Sequence, residues 1–450
     1  MHVNPFLEST RFLGAFFLAV VISLAAPSWA AAVSDVEQRV DDLTSLPVEA
    51  SALNDFIYKI DGQGAVFLVN TREGSVLIDV GFNRAQGLAQ KALVEQYASG
   101  PIRKIILTHF HVDHVGALPV WEEEIASGVP LITHQRYPYM ARIQRELNPF
   151  FNRRYEVLYG DLVNSDPDPD LSYWEIEPDR PVYVGQPYTF SLGDVDFEVI
   201  AMDNTGEGED GLMVWLPKQK ILFVGDMFGP LYPMFPNLYT VRGEKYRDAL
   251  DYIDALDQIL ALEPEMLVST HFTVERGAEQ IRSSVTRMRD AVQYVWDEVV
   301  AGMNAGKTVW QLMGDISLPE EYAVSQGHGK VSWSVRAIWE TVAGWYHYDT
   351  VANLYPVPVE SIYDDVVAAA GGTAPLVEQA SQRLAADQPV QALRLLDMTR
   401  GSPTVDSLAL RIRVLDRLLE QAKALRNYSE IGLLKDDRQR TASRLETLGS

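Results

Sequence analysis

The chain has 450 residues, of which 47% are hydrophobic and 22% charged, enough apolar material for two or three domains and unlike a disordered composition. Asp and Glu number 62 against 38 Lys and Arg, and this net charge of −24 argues against a binder of nucleic acid or anionic membranes. Cysteine is absent, which excludes disulfides and thiolate-bound metal, so any metal site must use His and carboxylates.

Taken in chain order, Phe12 to Ala26 is an apolar run of signal-peptide length, followed by Pro27 and small residues around Ala30 and Ala32. Residues 1–32 are expected to be a secretory signal, with a periplasmic or secreted mature protein. An uncleaved anchor is the alternative, but the run is short of the roughly 20 residues a span needs. No later stretch reads as a transmembrane segment.

Residues 45–285 alternate short β-rich runs with helical patterns. Ala65–Val69 and Ser75–Ile78 read as neighbouring strands around a Glu73-Gly74 turn, and a helix pattern spans Gln86 to Tyr97. Ile105–Leu107, Pro130–Ile132, Phe197–Ile200, Leu212–Trp215, Ile221–Val224 and Met266–Val268 read as further strands, with a helix from Trp121 to Ala126. Strands with interspersed helices predict a layered α/β domain. Residues 286–445 change character: Val285–Ala301, Trp333–Trp345, Leu376–Ala385, Val390–Met398 and Ser407–Ala424 carry helical periodicity, with a joint near Gly371-Gly372 and Pro375. The acidic stretch Asp166-Pro167-Asp168-Pro169-Asp170 reads as a solvated loop rather than a cation site.

Three of the eight histidines fall within six residues, in Thr108-His109-Phe110-His111-Val112-Asp113-His114. With a strand running up to Thr108, His109 and His111 are expected to leave it in the same direction and share one metal. Asp113 and His114 are expected to turn toward a second, with Gly116 letting the backbone pass close by. Further ligands are sought at strand ends. The predicted set is His109, His111 and Glu207 on one ion and Asp113, His114 and His271 on the other, with Asp226 bridging. Glu209 and Asp210 rival Glu207, and Asp79 is expected to hold the metal-binding loop by hydrogen bonds. His134 reads as a wall or core residue. All-N/O donors suit two Zn²⁺, with Mn²⁺ or Fe²⁺ open. Two such ions roughly 3.5–4 Å apart make a hydroxide or bound water the expected nucleophile.

This motif resembles that of the metallo-β-lactamase superfamily, and several features are similar to the alkyl sulfatases within it. Glu207 matches the family's third ligand on the first metal. Asn237-Leu238-Tyr239-Thr240-Val241-Arg242-Gly243 is the most specific match, followed by Tyr246-Arg247-Asp248-Ala249-Leu250. Lys330-Val331-Ser332, Gly344-Trp345 and Ala352-Asn353-Leu354 resemble the family's helical dimerisation region. The resemblance implies an αββα sandwich followed by an all-α dimerisation-type region, a homodimer, and a small anionic ester as substrate. It also implies that Arg242 binds the anion with Asn237 nearby, in line with the forked, permanently charged guanidinium. Asp113 and Arg242 are therefore the catalytic candidates. Tyr239, with Tyr232 and Phe235, is a candidate pocket wall or a core residue.

Two residues depart from the family: Asp226 stands where Glu is usual, and Trp333 where a proton-donating His is expected. His328 is one alternative acid. The expected activity is sulfate-ester hydrolysis. Hydrolysis of a lactam, lactone or other carboxylic ester is a second reading, and a non-catalytic metal-containing binding protein a third.

Overall fold

The computed structural model describes residues 46–163, 172–229 and 232–449. The signal-like run Phe12–Ala26 with Ala30 and Ala32, and the acidic stretch Asp166–Asp170, lie outside the described residues.

Two sheets lie face to face. The first holds β1 (Ala50–Ala52), β2 (Ile57–Ile60), β3 (Val66–Thr71), β4 (Gly74–Ile78), β5 (Ile102–Ile106), β6 (Leu131–His134) and β7 (Arg180–Val182), in sequence order. The second is ordered β13 (Val274–Arg276), β12 (Met266–Val268), β11 (Ile221–Phe223), β10 (Leu212–Leu216), β9 (Val195–Ala201) and β8 (Tyr188–Leu192). The period of two along each strand explains the layering. Phe67, Val69, Ile78 and Ile106 meet Phe197, Val214, Phe223 and Val268 between the sheets. The alternate residues Val66, Leu68, Leu77 and Ile105 pack outward on Val94, Leu118, Trp121 and Tyr137. On the other face, Met213, Trp215, Leu222 and Leu267 pack on Tyr252, Leu256, Val285, Met288 and Val292. The order is helices, sheet, sheet, helices, as the αββα expectation had it. Central strands buried on both faces read as unbroken apolar runs, which is why they were legible.

β4 to β7 run parallel, as do β11 and β12. Parallel neighbours need a crossover, and the helix Arg84–Tyr97, whose N-terminus is capped by the Asn83 side chain accepting from Gln86 N, supplies the one from β4 to β5. The parallel pairing also gathers the C-terminal ends of β4, β5 and β11, β12 at one end of the sandwich.

The division placed between residues 285 and 286 falls inside the helix Ala278–Asn304. Ile281, Val285, Met288, Val292 and Val295 of that one helix all belong to the core that covers the second sheet, so the helix is part of the sandwich. Beyond it lie the helix Val331–Ala343 and the helices Thr373–Ala385, Pro389–Asp397, Val405–Ala424 and Tyr428–Gly449. Ala380, Ala392, Leu396, Leu410 and Val414 form a separate small core shared by the helices Thr373–Ala385, Pro389–Asp397 and Val405–Ala424. Gly371 and Gly372, both at positive φ, make the joint before the first of the last four. No described helix is long and apolar enough to cross a membrane.

Candidate metal centre

β5 ends at Ile106 rather than Thr108, because the next residues turn away to hydrogen-bond elsewhere: Thr108 N donates to Asp79 Oδ1 at 2.7 Å. His109 and His111 therefore stand on a loop, not on alternate strand positions, and His111 occupies the N-cap of the short helix Val112–Val115. The loop still brings them together, with His109 Nε2 2.8 Å from His111 Nδ1. Asp113 and His114 follow in the helical turn. Gly116 is required there, since a Cβ would lie 1.8 Å from the Phe82 carbonyl oxygen.

Glu207 lies in the loop between β9 and β10, Asp226 just after β11 and His271 just after β12. Two ligand-type clusters result: His109, His111 and Glu207, and Asp113, His114, Asp226 and His271, each with one donor atom per residue within 4.8 Å of the others. All seven residues of the predicted set are thus brought together. Asp226 sides with the second cluster. Its Oδ2 lies 2.9 Å from His271 Nε2 and 3.4 Å from His114 Nε2. Among the described residues its Oδ1 has no hydrogen-bond partner although it is buried, and neither has His114 Nε2. Orphaned buried atoms of this kind are costly unless an unseen group satisfies them. A divalent cation fits both: the donors are imidazole nitrogens and carboxylate oxygens alone.

The electrostatics are those of a cation site. Burial acts to lower His114 and His271, but Asp226 and Asp113 outweigh it. His114 is held well above the usual imidazole range, and His271 is raised to about 10. In the other cluster burial, aided by His114 and His111, pushes His109 well below that range. Asp79 does what was expected of it: its Oδ2 accepts from His114 Nδ1 at 2.8 Å and from Thr108 Oγ1 at 2.8 Å.

The rivals of Glu207 point elsewhere. Glu209 pairs with Arg136 and, at 3.0 Å, with Lys245. Asp210 is fully buried, with its Oδ1 near Gly208. His134 is a core residue, its Nδ1 accepting from Arg136 N at 3.0 Å.

Arg242 sits at the rim of the first cluster, with Nη2 donating to His111 Nε2 at 2.9 Å. Asn237 is buried one step away, its Nδ2 donating to His328 Nε2 at 2.9 Å and its carbonyl accepting from Arg247 Nη1. His328 does not suit the role of acid. Burial, then Arg242 and Arg247, hold its pKa well below the usual range, and Nε2 is occupied as an acceptor. Its Nδ1 pairs with Ser429 Oγ at 3.1 Å and its ring stacks on Tyr428. Trp333 lies in the first turn of the helix Val331–Ala343 with Lys330 over its ring. Tyr232 and Phe235 are buried in the core. The Tyr239 ring meets Tyr246, whose hydroxyl donates to Glu340, and no described contact joins it to the two clusters.

The family profile described as the Metallo-beta-lactamase superfamily matches residues 60–271, and that of alkyl sulfatase dimerisation matches residues 309–428. The chain carries a metallo-β-lactamase domain followed by an alkyl sulfatase dimerisation domain. A linear primary-alkylsulfatase of Pseudomonas sp. is 26% identical over 321 residues, covering 68% of this chain and 60% of the relative. An alkyl/aryl-sulfatase of Saccharomyces cerevisiae is 23% identical over 346 residues, covering 71% and 52%. The chain thus spans 60% and 52% of the lengths of these relatives. A solved stereoselective inverting sec-alkylsulfatase from Pseudomonas sp. shares the fold, with a TM-score of 0.73 at 20% identity over 90% of this chain and 67% of that one.

Two residues of the metallo-β-lactamase domain escaped sequence reasoning. Arg247, 3% exposed, donates from Nη1 to Glu207 Oε1 at 2.9 Å and from Nη2 to Glu244 Oε2 at 3.1 Å. Glu244 also accepts from Arg242 Nε at 2.8 Å. Arg247 was within reach of detection as a second guanidinium five residues past Arg242. Glu244 carried no signal, because a Glu in a loop ordinarily reads as solvated.

Proposed function

We propose that this chain is a binuclear metal-dependent hydrolase of sulfate esters, of the alkyl-sulfatase type. The observation that carries the reading is the convergence of seven imidazole and carboxylate side chains into two adjoining clusters, with a guanidinium 2.9 Å from His111. His109, His111 and Glu207 would hold one cation, and Asp113, His114 and His271 the other. Asp226, whose Oδ1 lacks a hydrogen-bond partner among the described residues, would be shared between the two. Two Zn²⁺ ions suit these donors, with Mn²⁺ or Fe²⁺ as alternatives. When bound, such a pair lowers the pKa of a water toward ~7 and polarises the ester oxygen.

The residues of the chain do the rest. Asp79 fixes His114 as the Nδ1–H tautomer, which leaves Nε2 as a donor to metal. Arg247 aims Glu207 and opposes the upward push of burial, which still leaves that carboxyl above its ordinary pKa. Arg242 receives the ester anion, and Asn237, its amide held by His328 and its carbonyl by Arg247, stays close by. Neither Trp333 nor neutral His328 supplies a proton to the leaving group, so esters with weakly basic leaving groups suit the site best.

Support for the sulfate ester comes from the alkylsulfatase relatives and from Arg242. One observation favours a less anionic carboxylic ester as a second reading: Arg242 is already paired with Glu244. The experiment is metal analysis of the purified protein, followed by a screen of sulfate, phosphate and carboxylic esters with a chelated control. Chelator-sensitive turnover of alkyl sulfates supports the proposal; turnover of carboxylic esters alone selects the second reading, and none at all leaves a binding protein.

A homodimer belongs to the same reading. In the dimerisation region Trp345, Tyr348, Val351, Tyr355 and Val357 are each more than 60% exposed. Exposed apolar patches of this kind are what a second copy covers. Export to the periplasm or medium belongs to it too, on the strength of the signal-like run before Ala32. N-terminal sequencing of the exported protein would then start near Ala32 or Val33.

A further inference from the structure

Arg242 does not wait for a ligand with an open fork. Its Nε donates to Glu244 Oε1 at 2.8 Å and its Nη2 to Glu244 Oε2 at 3.2 Å, a side-on pairing. That edge is the one a guanidinium uses to hold an oxyanion with two parallel hydrogen bonds. The pair is sheltered, with side-chain exposures of 11% and 8%. Glu244 is shared: Arg247 Nη2 reaches its Oε2 at 3.1 Å, while Arg247 Nη1 holds Glu207. Its carboxylate also faces His111 Nε2 at 3.4 Å. Two guanidinium groups therefore stand against two carboxylates beside the cluster. An arriving oxyanion gains no net positive charge from this group of side chains, and has to displace Glu244 to use the Nε–Nη2 edge.

We propose that Glu244 is a specificity residue: an internal counter-ion that competes with the oxyanion of substrate and product for one edge of Arg242. The inference rests on the anionic-ester reading for Arg242 as the anion's partner. It makes the protein's hold on free sulfate weak, and it returns Arg242 to Glu244 each time the anion leaves. Glu244 also keeps Arg242 neutralised and oriented in a buried position, where an unpaired charge is costly.

The test is calorimetric titration of inorganic sulfate into zinc-loaded wild-type protein, Glu244→Gln, Arg242→Ala and the double variant. Glu244→Gln is expected to bind sulfate roughly tenfold or more tighter. That gain is expected to vanish when Arg242 is also replaced, an outcome that a merely structural role for Glu244 would not produce. Should Glu244→Gln fail to fold, Glu244→Asp keeps the charge but withdraws the carboxylate by one methylene, and a smaller gain in the same direction is expected. Unchanged sulfate affinity in a folded, zinc-loaded variant overturns the proposal, and so does a gain that persists without Arg242. If no sulfate ester is hydrolysed while the Arg242-dependent gain is observed, only the proposed function falls.

Discussion

Asp79 Oδ2 accepts a hydrogen bond from His114 Nδ1 at 2.8 Å. The residue sits at φ +60°, where its short polar side chain is tolerated, and its other oxygen accepts from Thr108 N at 2.7 Å. One carboxylate thus fixes both the histidine's tautomer and the start of the loop that carries it. Asp79→Asn, which keeps the backbone preference, is expected to weaken binding of a divalent cation at the cluster of Asp113, His114, Asp226 and His271 by about 10–100-fold. Chelator competition followed by metal analysis checks this.

Arg247 lies between Glu207 and Glu244, all three nearly buried. Removing the guanidinium leaves Glu207 without its cation and Glu244 with Arg242 alone, so Arg247→Ala is expected to destabilise the metal-free protein by about 3–5 kcal/mol. Arg247→Lys is expected to restore little, because an ammonium group cannot fork between two carboxylates. Urea unfolding of the chelated proteins gives both numbers.

Arg242→Ala is expected to lower kcat/KM for sulfate esters by about 10–100-fold, the worth of a charged hydrogen-bonding partner. Neutral carboxylic esters should lose far less. Equal losses on both classes would remove Arg242 from anion binding.

His134 is buried away from the clusters, and burial lowers its pKa to about 4. The unfolded chain, with an imidazole near 6.5, therefore binds this proton first on acidification. The contribution is fully present above about pH 6.5 and is lost as pH falls toward 4, a change of order 3 kcal/mol. In chelated protein, His134→Gln is expected to flatten the stability–pH slope in that window by about one proton relative to wild type, measured by urea unfolding at several pH values.

Trp345 and Tyr355 are 69% and 68% exposed in the dimerisation region. Replacing both by Glu is expected to shift the protein to monomer without loss of zinc, as read by sedimentation velocity. A wild-type protein already monomeric at micromolar concentration would set the homodimer aside.

The local sequence determined much on its own. Strands such as Leu212–Leu216 and Ile221–Phe223 are unbroken apolar runs because both faces are buried, and three histidines in six residues cannot be mistaken for surface use. Asp226 and His271 were legible because the parallel pair β11 and β12 delivers both strand ends to one rim, and Glu207 because it lies in the antiparallel β9–β10 connection. The short outer strands Ala50–Ala52, Arg180–Val182 and Val274–Arg276 were missed, since three partly exposed residues carry too little periodicity. Which carboxylate faces which partner was decided only by the fold: Glu207 and Glu209 lie two residues apart yet meet Arg247 and Arg136, and Asp210 beside them is fully buried. The pairing of Arg242 with Glu244 belongs to the same class. Residue type fixes what a side chain is able to bind, but the direction of a loop in space fixes which of those bonds it makes.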